Sequence, residues 1–126
     1  MILLDTHVVV WLYAGLLSRI SASVQRRLNN ERLGLSPFVQ LELAYLYEIG
    51  RVTTPAVTVI EDLASRLELV IADVAAASVC SAAMGLTWTR DPFDRLLAAQ
   101  AVTSGLTLVT KDVTLREHLS LAWWAD

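Results

Sequence analysis

The chain has 126 residues, the length of one domain that can bury roughly two thirds of the surface its unfolded form exposes. Hydrophobic residues make up 55% of it and the mean hydropathy is +0.50, so either the core is large or an apolar face meets a partner, by homo-oligomerisation or otherwise. A net charge of −3 excludes a polyanion binder that works through a basic face, although carboxylates that carry cations reverse the sign locally.

Met1 to Leu4 is wholly apolar, the pattern of a strand buried on both faces of a parallel sheet, and it ends at Asp5. Its lack of a basic stretch and the early carboxylate argue against a signal peptide. Thr6 to Leu17 reads as one helix interrupted by Gly15, and Ser21 caps a more polar helix to about Asn30. Leu33 to Ser36 reads as a second strand. Ser36-Pro37 starts a helix that runs to Ile49 and stops at Gly50, and Thr54-Pro55 starts another that ends near Arg66.

Leu67 to Ala72 is the expected third strand, followed by an Ala-rich helix capped by Asp73 and ended by Gly85. Its one cysteine, Cys80, sits among small residues that read as a buried helix face; with no intrachain disulfide possible, a reducing cytoplasm fits. The longest uncharged stretch, Val74 to Thr89, has 16 residues and is too short and weakly apolar to span a bilayer. Asp91-Pro92 opens a helix that reaches Thr103-Ser104-Gly105. Leu106 to Val109 is a fourth strand, Val113 to His118 a short helix, and Leu121 to Trp124 a last strand. Alternating strands and helices predict a single α/β domain with a mostly parallel sheet of four to five strands and helices on both faces.

Five of the 13 acids stand apart from ordinary charged surface: Asp5, Glu42, Asp91, Asp94 and Asp112. Asp5 and Asp112 follow strands at the end of the sheet where ligands collect, a position that helix capping explains equally well. Glu42 has Phe38, Tyr45, Leu46 and Ile49 as its helical neighbours, so its charge sits in an apolar stripe and needs a cation, a cleft edge or a proton. Asp94 repeats this with Leu97, Ala98, Ala101 and Val102, whereas capping alone accounts for Asp91. Oxygen ligands without a matching His or Cys set select Mg²⁺ or Mn²⁺ over zinc. His7, just after the first strand, either lines the cleft or packs near Trp11, with packing the favoured reading. G-x-S-x-G, P-loop and G-x-G-x-x-G motifs are absent.

Four segments, Ile2-Leu3-Leu4-Asp5-Thr6-His7, Ser36-Pro37 with Glu42, Asp91-Pro92-Phe93-Asp94-Arg95 and Leu108-Val109-Thr110-Lys111-Asp112, together resemble the PIN-domain family, in particular the VapC-type toxins, over almost the whole chain. One departure is Thr89, where many relatives carry a histidine. The resemblance implies a single three-layer α/β/α PIN domain over residues 1–126 and a metal-dependent endoribonuclease that yields 5′-phosphate and 3′-hydroxyl ends. It implies a homodimer, neutralisation by a VapB-type antitoxin and assembly into a toxin–antitoxin complex. Asp5, Glu42, Asp94 and Asp112 are then the catalytic metal ligands. Asp91, Thr6 and Thr110 are candidates to support them, and Arg90 and Arg95 are candidates to contact RNA. A catalytically silent binding module on the same fold is the competing expectation. A receiver or dehalogenase-like fold fits less well, since Asp5-Thr6-His7 is neither the acid pair of the first nor the Asp-x-Asp of the second.

Overall fold

The structure, a computed structural model, covers residues 1–126. Five strands form one sheet, β1 (Ile2–Leu4), β2 (Leu33–Leu35), β3 (Val70–Ile71), β4 (Leu108–Val109) and β5 (Ala122–Trp123), in the order β3-β2-β1-β4-β5. Every pairing is parallel, with Leu3 opposite Gly34 on one side and Leu108 on the other. Successive strand residues point to opposite faces, and Ile2, Leu3 and Leu4 are all at most 1% exposed, so β1 is covered on both faces. The cover is seven α-helices: α1 (Thr6–Ala14), α2 (Ala22–Asn30), α3 (Pro37–Glu48), α4 (Ala56–Leu67), α5 (Ala76–Met84), α6 (Pro92–Ser104) and α7 (Val113–His118). None is long and apolar enough to cross a membrane.

The sheet is wholly parallel rather than mostly so, and several boundaries differ from expectation. The helix after Asp5 stops at Ala14, because Gly15 adopts a left-handed φ of +72° and its neighbour's amide closes back on the Trp11 carbonyl; Leu17–Arg19 is a separate short 3₁₀ turn. Leu67 belongs to the end of α4, packed in helical step with Leu63, and Glu68 turns the chain at a φ of +56° before β3 begins. Asp73 does not cap α5: its carboxylate accepts from the adjacent Val74 amide, and the helix starts after Ala75 without a side-chain cap. Cys80 is exposed, since α5 turns Val79 and Ala83 inward instead. The apolar stripe assigned to α3 is also largely outside, with Tyr45 and Ile49 47% and 48% exposed, while Val39 and Leu43 are the buried pair. Much of the high hydropathy is thus surface, on Leu41, Tyr45, Ile49, Val57, Met84 and Val102.

This topology creates the site. From β1 the sheet grows outward through β2 and β3, then resumes on the other side with β4 and β5. A crevice opens where that direction reverses, beyond the carboxyl ends of β1 and β4. Asp5 follows β1 and Thr110-Lys111-Asp112 follows β4.

Candidate active site

Asp5 is only 4% exposed, held by donors on both oxygens. Its Oδ1 accepts from the Thr6 amide at 2.7 Å, and its Oδ2 accepts from the Thr110 hydroxyl at 2.6 Å. Thr110, itself fully buried, also accepts through Oγ1 from the Asp112 amide at 3.1 Å, so one hydroxyl ties the loop after β4 to the carboxylate after β1. Thr6 Oγ1 donates to Glu42 Oε1, linking α1 to α3. Asp112 is the N-cap of α7, accepting from the Leu115 amide at 2.8 Å. Asp5, Thr6, Glu42, Asp94 and Asp112 line a single cleft of about 260 Å³.

The charges in this cleft oppose one another. Burial pushes the Asp94 carboxyl up to about 7, and the negative charges of Asp91, Asp5, Asp112 and Glu42 all add to the shift. Glu42 is also raised, by burial first; the Thr6 hydroxyl pulls it down, and Asp5 and Asp91 push it further up. As placed, no three His, Cys, Asp or Glu side chains converge closely enough to share one ion. The chemistry of the donor set nevertheless fits a hard dication: the carboxylates are oxygen-only, gathered in one cleft, and burial together with the neighbouring acids makes two of them resist ionisation.

Three other expected residues lie outside the cleft wall. Asp91 is exposed and caps α6, its Oδ1 accepting from the Phe93 and Asp94 amides at 2.9 and 3.1 Å. Arg95 points to the end of α5, where its guanidinium donates to the Ala83 carbonyl at 2.8 Å. It shares a separate shallow pocket with the exposed Arg90. The cleft wall also includes His7 and Arg51. His7 does pack on Trp11, ring centroids 4.9 Å apart, yet its Nδ1 also lies 3.4 Å from Asp5 Oδ2. Its Nε2 accepts from the Lys111 amide at 3.3 Å, which assigns the proton to Nδ1, facing Asp5. Proximity to Asp5 in sequence was the available signal for His7. Arg51, in the α3–α4 connection, is the cleft's single Lys or Arg, and nothing in its local sequence marked it.

The sequence model of the PIN domain matches residues 2–118, which takes in every residue of the cleft. The chain belongs to the PIN-domain family. Ribonuclease VapC22 of Mycobacterium tuberculosis is 33% identical to this PIN domain over 122 residues, 93% of this chain and 91% of that protein. Among solved structures, DNA-bound VapBC from Salmonella typhimurium aligns at a TM-score of 0.61 and 28% identity, over 93% of this chain and 90% of that one. VapBC2 from Rickettsia felis, bound to a DNA fragment from its promoter, aligns at a TM-score of 0.67 over 94% and 93% of the two chains; at 20% identity that likeness speaks for the fold alone.

Thr110 offers a direct test of how the PIN cleft is organised. Thr110→Val keeps the buried shape but removes the 2.6 Å hydroxyl donor from Asp5 Oδ2, leaving it only the longer 3.4 Å contact with His7 Nδ1. Hydrogen bonds that orient a metal-binding carboxylate are typically worth about 10–100-fold in affinity or activity. A loss of that size in cleavage, with the fold intact by circular dichroism, is the expected result; unchanged cleavage would show that Asp5 needs no such support.

Proposed function

We propose that this PIN domain is a Mg²⁺- or Mn²⁺-dependent endoribonuclease and the toxin of a toxin–antitoxin pair, neutralised by a VapB-type antitoxin. The observation that carries the reading is the convergence of Asp5, Glu42, Asp94 and Asp112, from four separate elements, on one cleft at the switch point of the sheet. Similarity to a ribonuclease over 93% of the chain supports the substrate, and the VapBC assemblies among its structural neighbours support the partner.

In this reading Asp5, Glu42, Asp94 and Asp112 would hold one or two dications. When bound, a metal of this kind neutralises charge on the scissile phosphate and makes a nearby water more acidic. The protein's own part is arrangement. Thr6 and Thr110 fix the two carboxylates they touch, and Asp91 secures the start of α6 and so the direction in which Asp94 enters the cleft. No side chain needs to act as nucleophile. The exposed apolar side chains of α3, α4 and α6 supply surface for a homodimer or for the antitoxin, and a reducing cytoplasm is consistent with both.

Purified antitoxin-free protein is expected to cut cellular RNA with Mg²⁺ or Mn²⁺ and to stop when EDTA is added. Absence of cleavage with either metal, in protein shown to be folded, would sink the nuclease and leave a binding module.

A further inference from the structure

The acidic cleft does not end at its carboxylates. A second compartment of about 240 Å³ adjoins it, and Val10, Arg51 and Val52 line both. The second compartment is predominantly apolar, walled by Tyr13, Leu43 and Val59 as well as the shared residues. Arg51 stands on the ridge between them.

Its placement is fixed by the backbone. At the end of α3, Gly50 takes a left-handed φ of +77° and its amide donates to the Tyr47 carbonyl at 3.1 Å, while the Arg51 amide donates to the Leu46 carbonyl at 2.8 Å. This pair of bonds is the Schellman closure, which sets the direction in which the next side chain leaves the helix. Arg51 is exposed and joins neither of the chain's two arginine–carboxylate ion pairs, although it lines the same cleft as four carboxylates. A planar, permanently charged fork with free donors beside a phosphodiester-cutting cleft is matched to a phosphate. The adjoining apolar compartment, with Tyr13 in its lining, is matched to an unpaired base.

We propose that RNA leaves the acidic cleft across this ridge as a single strand, with Arg51 paired to a backbone phosphate and the adjacent unpaired nucleobase seated against Val10, Tyr13 and Val52. The proposal rests on the ribonuclease reading and deepens it by naming the residues that grip the strand on one side of the cut.

The test is binding of a short single-stranded RNA by fluorescence anisotropy over a range of salt, with Asp94→Asn blocking cleavage. Adding Arg51→Ala should raise Kd about tenfold, the worth of one charge-assisted contact. It should also flatten the slope of log Kd against log salt by about 0.7, the signature of one lost phosphate contact on a single strand. Arg51→Lys should restore the slope and only part of the affinity. An oligonucleotide series with one abasic position moved along the strand should show a single position where affinity drops about tenfold. Unchanged affinity and slope in Arg51→Ala, with an unaltered melting temperature, would overturn the phosphate contact and hand the ridge to a protein partner. An abasic series with no sensitive position would overturn the base seat. Because binding is read without cleavage, these failures are distinct from that of the nuclease reading, which falls only if the wild-type protein cuts no RNA.

Discussion

Asp94→Asn is expected to lower RNA cleavage by about 10²–10³-fold, the range for removal of one element that stabilises transition-state charge, and at the same time to make the metal-free protein more stable. Both effects follow from one fact: the carboxyl is raised from 3.8 to about 7 by burial and by the acids around it. Below pH 4 both folded and unfolded forms hold the proton and nothing is gained or lost. Between about 4 and 7 the folded form keeps a proton that the unfolded form has released, so stability falls as pH rises through that window. Above 7 the full cost of the buried charge remains. Asn removes it. Because the side chain is only partly buried, solvent screening reduces the gain to about 1 kcal/mol, worth roughly 3–5 °C in a domain of this size. Melting curves in EDTA should show the variant above wild type at pH 8 and the two converging near pH 4. A variant that melts lower than wild type at pH 8 would contradict the charge account, and one that cuts RNA normally would remove Asp94 from the catalytic set.

The largest effect on stability is expected from Leu3→Ala. Leu3 lies in the central strand, completely buried, hydrogen-bonded through its amide to the Thr107 carbonyl and flanked by β2 and β4. A Leu truncated to Ala in such surroundings typically costs about 2–5 kcal/mol, the lost transfer energy plus the cavity left behind. That is a large share of the roughly 5–15 kcal/mol that holds a domain together. Urea denaturation should show the midpoint fall sharply with little change in slope. A loss below about 1 kcal/mol would mean that the neighbouring strands close the cavity and that β1 is less rigid than its burial implies.

How far the sequence anticipates this arrangement differs from residue to residue. Strand β1 was legible because an uninterrupted apolar run has few other uses, and the Ser36-Pro37 and Asp91-Pro92 starts were legible because cap and proline both act locally. The end of the helix after Asp5 was misjudged: the apolar run through Leu17 outweighed Gly15, whereas the left-handed turn there needs a residue that tolerates positive φ. Asp73 resembles a cap by spacing, but two more residues, Val74 and Ala75, pass before α5 begins. Glu42 does line the cleft, but the pattern that singles it out holds only in part, for Tyr45 and Ile49 are exposed and the residue sits at the edge of the buried face rather than inside a core stripe. What no local pattern carries is strand order. Asp5 and Asp112 become neighbours only because β4 pairs with β1, and Arg51 reaches the cleft only because the α3–α4 connection folds over it.

That pairing has a consequence for when the protein becomes active. The carboxylate after β1 is synthesised more than 100 residues before the hydroxyl that orients it, which belongs to Thr110, and before Asp112, the last acid of the cleft. Contacts across more than 100 residues form late, after the loop between them has been closed. A ribosome that has not yet reached residue 112 therefore carries a chain whose acidic cleft is incomplete, and the RNA it is translating does not meet the finished cleft of the chain it is making.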